Sequence, residues 1–214
     1  VGAVASYTFS NVIAAHTISA SFALNTFTIN ASAGSGGIIS PVGTQTVNYG
    51  TSWTYTITAN TGYHIDSVLV DGVSVGAATG HSFSNVTADH TIEAFFSIDV
   101  FTITASAGSH GSIAPAGVTH VNYGGTQAYT VTPDAGYDVD SLVVDGVNLG
   151  AQTTYTFSNV TANHTIAAYF SINVYALTSS ATGNGTITPT GVTNVNYGGS
   201  QAYTISANTG YHID

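Results

Sequence analysis

The chain has 214 residues, ten of them acidic, with neither Lys nor Arg and no Cys, for a formal charge of −10. Binding to nucleic acid or to an anionic membrane surface needs basic side chains, so both are excluded as partners. Lys Schiff bases, P-loop lysines, arginine fingers, Lys–Asn isopeptides, disulfides, thiolate metal sites and Cys nucleophiles are excluded too.

Hydrophobic residues make up 43%, with 13 Tyr and 9 Phe, and Thr, Val and Ile recur throughout. Such a chain can bury a core. No stretch approaches the ~20 apolar residues of a membrane span, so no membrane insertion is expected. Methionine is missing even at position 1, which reads as a processed product or an excerpt of a longer chain.

Internal repetition dominates the sequence. Gly62-Tyr63-His64-Ile65-Asp66 returns as Gly136-Tyr137-Asp138-Val139-Asp140 and as Gly210-Tyr211-His212-Ile213-Asp214, 74 residues apart each time. Phe9-Ser10-Asn11-Val12 and Val47-Asn48-Tyr49-Gly50 recur twice more at the same interval, with no insertion or deletion. The period divides the chain into a C-terminal part of a repeat (1–24), complete repeats at 25–98 and 99–172, and an N-terminal part (173–214).

In chain order, Pro41 and its equivalents Pro115 and Pro189, each followed two residues later by Gly, mark turns beside short or edge strands. Val68, Val70, Val73 and Val75 flank Asp71-Gly72, and Leu142, Val144, Val147 and Leu149 flank Asp145-Gly146. Asp-Gly supplies the two positive-φ positions of a type I′ turn, which predicts hairpins with four apolar side chains on one face. Phe101, Ile103 and Ala105 alternate with threonines, as do Tyr129 and Val131, the period-2 signal of half-buried strands. Ile166, Ala168, Phe170 and Ile172 line one face of a further strand. No segment carries a helical period. The expected fold is all-β: tandem modules of 74 residues, each a small β-sandwich or rolled sheet, arranged head to tail. A module this small buries only ~60% of its unfolded surface, so neighbours should contribute to its stability.

Gly111-Ser112-Ile113, Val121-Asn122-Tyr123-Gly124, Gly136-Tyr137, Val144-Asp145-Gly146 and Phe157-Ser158-Asn159-Val160-Thr161 follow one another in order. In these motifs the chain resembles the divergent InlB B-repeat domain, over essentially its whole length. The resemblance implies a β-rich module, tandem in bacterial secreted and cell-surface proteins, serving as stalk, spacer or adhesive element. It brings no catalytic residues.

Candidate sites are few. Asp66, Asp138 and Asp140, with His64, put potential ligands on one strand face near Asp71 or Asp145. No calcium-loop pattern gathers the six to eight oxygens that ion takes, so a polar outer face is expected and no metal. His16, His90 and His164 recur once per repeat and read as turn histidines bonded to backbone. No nucleophile elbow or unique acid pair is present, so neither an enzyme nor a cofactor is expected. Sequons stand at Asn30, Asn85, Asn159, Asn163 and Asn184, possible glycosylation sites on an exported protein. Tyr49, Tyr123 and Tyr197 in Asn-Tyr-Gly turns, and Trp53, could stack on a glycan ligand or cover a junction between modules.

The expected role is extracellular, at the cell surface: a structural filament, fibre or stalk whose units associate head to tail. The alternative is an adhesin whose repeats bind glycan or host and matrix ligands. The ends fall so that 173–214 and 1–24 together make a repeat lacking only the equivalent of Ser67–Ser74. Both a longer covalent array and separate subunits sharing a split module fit that arrangement.

Overall fold

The computed structural model describes residues 2–214, and among them it contains strands and turns but no α-helix. The first complete repeat carries β1 (Thr26–Ala33), β2 (Gly37–Ser40), β3 (Gly43–Asn48), β4 (Trp53–Ala59), β5 (Tyr63–Val70), β6 (Val73–Ser74), β7 (Gly80–Phe83) and β8 (His90–Ile98). The second repeats the series as β9 (Val100–Ala107), β10 (Gly111–Ala114), β11 (Gly117–Asn122), β12 (Gly125–Pro133), β13 (Tyr137–Val144), β14 (Val147–Asn148), β15 (Thr154–Val160) and β16 (His164–Ile172). The last part holds β17 (Val174–Ser179), β18 (Gly185–Thr188), β19 (Gly191–Asn196) and β20 (Thr204–Ala207).

Each complete repeat is built of two sheets. In the second, the larger sheet has the order β11-β9-β16-β13-β14 and the smaller β10-β12-β15. The first has the same orders, β3-β1-β8-β5-β6 and β2-β4-β7. Central to the larger sheet, β16 runs parallel to β9, with Ile166 opposite Ala105, and antiparallel to β13. A parallel pair needs a crossover between its strands, and here the chain makes it through β10 to β15, which are shared between the two sheets.

The alternating residues face one another between the sheets. Ile103, Ala105, Val121, Leu142, Ile166 and Ala168 from the larger sheet meet Ile113, Tyr129, Val131 and Phe157 from the smaller in one core. The modules are therefore sandwiches, and the threonines alternating with these residues lie outside. At the equivalent positions of the first repeat, Ile29, Ala31, Tyr55, Val68, Ile92 and Ala94 are all buried.

Both Asp-Gly hairpins form. Val70 pairs Val73 and Val144 pairs Val147, with φ of 49° at Asp71 and Asp145 and 78–79° at Gly72 and Gly146. The expected four-residue apolar face is corrected in one respect. Leu142 and Val144 are buried, whereas Val147 and Leu149 are 61% and 37% exposed. The returning strand is only two residues long and lies at the sheet edge, beyond the reach of the opposing sheet.

The partial repeats differ from the complete ones. Residues 2–24 contain no strand, although the equivalent residues of the complete repeats form β7 and β8, or β15 and β16. In the complete repeats those strands pair with strands from earlier in the same repeat. In the last part, among the described residues, β17 pairs with β19 alone and β18 with β20 alone.

Two compact units are present, and their boundary does not follow the repeat boundary. The first takes residues up to 34, 38–58 and 67–94; the second takes 35–37, 59–66 and 95–214. The turn around Gly62 thus clusters with the repeat that follows it in sequence.

Candidate functional site

Two arrangements recur at the repeat period. One is a joint between consecutive repeats, and the other is a clamp on the Asp-Gly turn.

The joint begins at a tyrosine in the Asn-Tyr-Gly turn after β11. Tyr123 N donates to Asp99 O at 2.8 Å, and Asp99 N donates to Gly62 O at 2.8 Å. Its ring lies against Gly62 so closely that a Cβ built there would fall within contact of Cγ, Cδ1 and Cε1. The same geometry returns one period later. Tyr197 N donates to Asn173 O at 2.8 Å, Asn173 N donates to Gly136 O at 2.9 Å, and the Tyr197 ring rests on Gly136. Gly62 and Gly136 adopt φ of 79° and 82°, a left-handed conformation that disfavours any residue with a Cβ. Glycine is needed there both for the backbone turn and for the approach of the ring. Of the two roles open to these tyrosines, the geometry gives Tyr123 and Tyr197 the covering of a junction.

A polar pair supports the first joint. His64 Nδ1 lies 2.8 Å from Asp99 Oδ1. The second joint has Asp138 and Asn173 at those positions, and Asn173 Oδ1 is buried without a hydrogen-bond partner.

The clamp joins residues 19 apart in sequence. Asp71 accepts from Thr91 N at 2.8 Å through Oδ1 and meets His90 Nδ1 at 2.7 Å through Oδ2. Asp145 does the same with Thr165 N at 2.8 Å and His164 Nδ1 at 2.7 Å. Partial burial pushes both carboxyls up, but the Thr91 or Thr165 N–H and the adjoining histidine outweigh it. Both acids are therefore held below the usual carboxylate range. Here a sequence expectation is corrected: the partner of His90 and His164 is a turn carboxylate, not backbone. The Asp-Gly turn points its first side chain back across the sheet onto the next strand. His16 stacks on Phe9, with ring centroids 5.0 Å apart.

The remaining candidates are dispersed. Asp66, Asp138 and Asp140 are exposed on β5 and β13, and Asp140 stands at a β-bulge between Val139 and Ser141. No group of three or more His, Asp or Glu converges to hold a metal among the described residues. Asn163 Oδ1 accepts from Thr102 N at 2.9 Å, and Asn85 and Asn159 sit at positive φ. Asn30 and Asn184 are exposed. Trp53 pairs with Phe83 between β4 and β7 and is half-buried.

A family model for the divergent InlB B-repeat domain matches residues 27–99 and again residues 101–174. The chain belongs to the divergent InlB B-repeat domain family. The two matches begin and end within two residues of the repeats read from the sequence period. Comparison with curated proteins and with solved structures finds no match. Divergent InlB B-repeats are typically found in surface or secreted proteins, and among the described residues no helix is long and apolar enough to cross a membrane.

Proposed function

We propose that this chain is a structural spacer, a head-to-tail stalk or fibre element of an extracellular or cell-surface protein. The observation carrying this reading is the Tyr-on-Gly joint, repeated with the same ring contact and the same pair of backbone bonds at Gly62 and Gly136. A flexible linker would leave consecutive repeats without such contacts, whereas a spacer needs each repeat to fix the next. The residues that carry the period serve packing, turns and this joint, and none forms an acid–base or nucleophile constellation.

Small-angle scattering on chains of two, four and eight repeats tests the reading. Maximum dimension should grow by one constant increment per added repeat. Growth as roughly the square root of repeat number, the behaviour of flexibly linked beads, would refute a spacer. A glycan array addresses the adhesin alternative. Saturable binding lost on replacing an exposed tyrosine would favour the adhesin, and the spacer reading expects none.

A further inference from the structure

The larger sheet of the second repeat has one long edge, β11, whose sole neighbour in the sheet is β9. Tyr123 N donates to Asp99 O, and bonded pairs alternate along an antiparallel ladder. Val121 and Thr119 therefore turn their main-chain groups toward β9, opposite Phe101 and Ile103. Val118, His120 and Asn122 turn theirs away from it. The Asn122 carbonyl bends into the following turn, close to Gly125. The N–H groups of all three residues and the carbonyls of Val118 and His120 point off the sheet, without a partner strand among the described residues.

The other edges of this repeat are short or interrupted. β14 has two residues, β10 has four and ends before Pro115, and β15 pairs through a bulge and carries Asn159 at positive φ. β11 has six residues with no bulge, Pro, Asp or Glu, and its Val118 is 57% exposed. Soluble proteins usually blunt such an edge with Lys, Pro or a bulge, because its open main-chain groups template the addition of another strand.

Charge selects the occupant. The acids of the second repeat are Asp99, Asp134, Asp138, Asp140 and Asp145, and none lies on β11 or on β9 behind it. Asp138, Asp140 and Asp145 lie on or just after β13, beyond β16, and Asp99 is turned to His64. Two copies of a chain with a formal charge of −10 repel wherever their acids meet, and at this edge they approach with none in the contact. A basic partner would be drawn to the acids instead. The first repeat presents the same edge in β3, with Thr44, Thr46 and Asn48 exposed and again no acid.

We propose that the partner of this edge is a second copy of the chain, its β11 added antiparallel across a two-fold axis at His120. A two-fold contact sets His120 opposite its own counterpart and Val118 opposite Asn122. Each His120 N–H then donates to the opposite His120 carbonyl, and each Asn122 N–H to the opposite Val118 carbonyl. The two larger sheets become one continuous sheet. A single strand pair is a small contact, and recurrence of the edge once per repeat multiplies it along linked repeats. The proposal goes beyond the spacer reading, since it joins chains side by side rather than end to end.

Cysteine crosslinking tests this on the full chain, which has no Cys of its own. His120→Cys places one thiol beside the axis, and mild oxidation should give a disulfide-linked dimer on a denaturing gel. Val118→Cys and Asn122→Cys face each other only when the two variants are mixed. The mixture should give at least about fivefold more dimer than either variant alone, since the separation a disulfide accepts is narrow. Adding His120→Pro to both members should abolish that gain with circular dichroism unchanged, because an edge strand tolerates Pro where its N–H faces away from the sheet. No dimer from His120→Cys, equal yields from the mixture and the single variants, or a gain that survives His120→Pro would each overturn the pairing. Should His120→Pro disturb the fold, the mixture against the single variants still decides. The scattering increment per repeat bears on the spacer alone, so the two readings fail separately.

Discussion

The ring of Tyr197 rests on the backbone of Gly136, just as that of Tyr123 rests on Gly62 one repeat earlier. In both cases a residue from the turn after the third strand of one repeat closes on the turn before the fifth strand of the preceding repeat. The contact is made twice in one compact unit, with donor–acceptor distances agreeing to 0.1 Å.

The first prediction concerns this contact. Gly136→Ala places a Cβ against the Tyr197 ring and in a left-handed conformation that costs an ordinary residue about 1–2 kcal/mol. The joint should loosen while the sandwich of residues 99–172 keeps its circular dichroism. Limited chymotrypsin digestion should cut near Tyr197 several-fold faster than in the parent chain. Tyr197→Ala added to Gly136→Ala should be less than additive in urea unfolding, because the ring that clashes is gone. Full additivity would show that ring and glycine do not interact.

Much of this molecule was legible from residues alone, and the reason is periodicity. The threonine alternation around Ile103 and Ala105 gives strand, face and core together, and Asp145-Gly146 gives the turn type with its register. What was hidden shares one character: partners far apart in sequence. The 74-residue period shows that Tyr123 and Gly62 each recur, but not that one meets the other across a repeat boundary. Likewise the recurrence of His164 and Asp145 does not reveal their pairing, which depends on β13 and β16 lying side by side. The exposure of Val147 was missed because a two-residue edge strand looks, in sequence, like any apolar pair. The bulge at Asp140 left no signal, since a single extra residue does not disturb the composition.

The second prediction addresses the clamp. Asp145 holds a positive-φ position and accepts hydrogen bonds across the sheet from His164 Nδ1 and from Thr165, through its N and, at 3.5 Å, its Oγ1. Asp145→Ala loses the local preference for that conformation and leaves both partners to water, at a cost of about 1–2 kcal/mol. Asp145→Asn keeps the turn and the bond from Thr165 N, losing only the charge toward His164. It should cost less than half as much. Urea unfolding monitored by tyrosine fluorescence checks the ranking, and equal losses would remove the charge-independent part of the clamp from the account.

The third prediction transplants a pair. The first joint carries His64 against Asp99, while the second has Asp138 and an Asn173 whose Oδ1 is buried without a partner. Asp138→His with Asn173→Asp should strengthen the second joint by up to ~1 kcal/mol, since such half-exposed pairs contribute little. Asn173→Asp alone should weaken it, by setting a second carboxylate beside Asp138. Chymotrypsin cleavage near Tyr197 reports both, slower for the double variant and faster for the single.

A fourth follows from composition. Trypsin requires Lys or Arg, and the sequence has neither. The heat-denatured chain should stay at full length in trypsin while chymotrypsin degrades it within minutes, as read by mass spectrometry. On the proposed spacer reading, this property would let the chain persist among trypsin-like proteases even when locally unfolded.

The last prediction is a pH dependence in which two effects run in opposite directions. Asp71 and Asp145 are held below their ordinary range, and so is Asp89, through hydrogen bonds from Thr28 N and Thr28 Oγ1. A carboxylate whose pKa is lower folded than unfolded contributes stability above the unfolded value, about 3.9, and loses it as pH falls through the folded value. These three acids therefore add no pH dependence above about pH 5, and the urea midpoint should decline below pH 4. The same titration removes negative charge from a chain that carries ten acids and no fixed cation, which weakens repulsion between copies. Light scattering should therefore rise over the interval in which the midpoint falls. Asp71→Asn with Asp145→Asn should flatten the decline in the midpoint and leave the rise in scattering almost unchanged. If the double variant flattens both, the clamp rather than net charge governs association; if it flattens neither, these carboxylates do not carry the acid sensitivity.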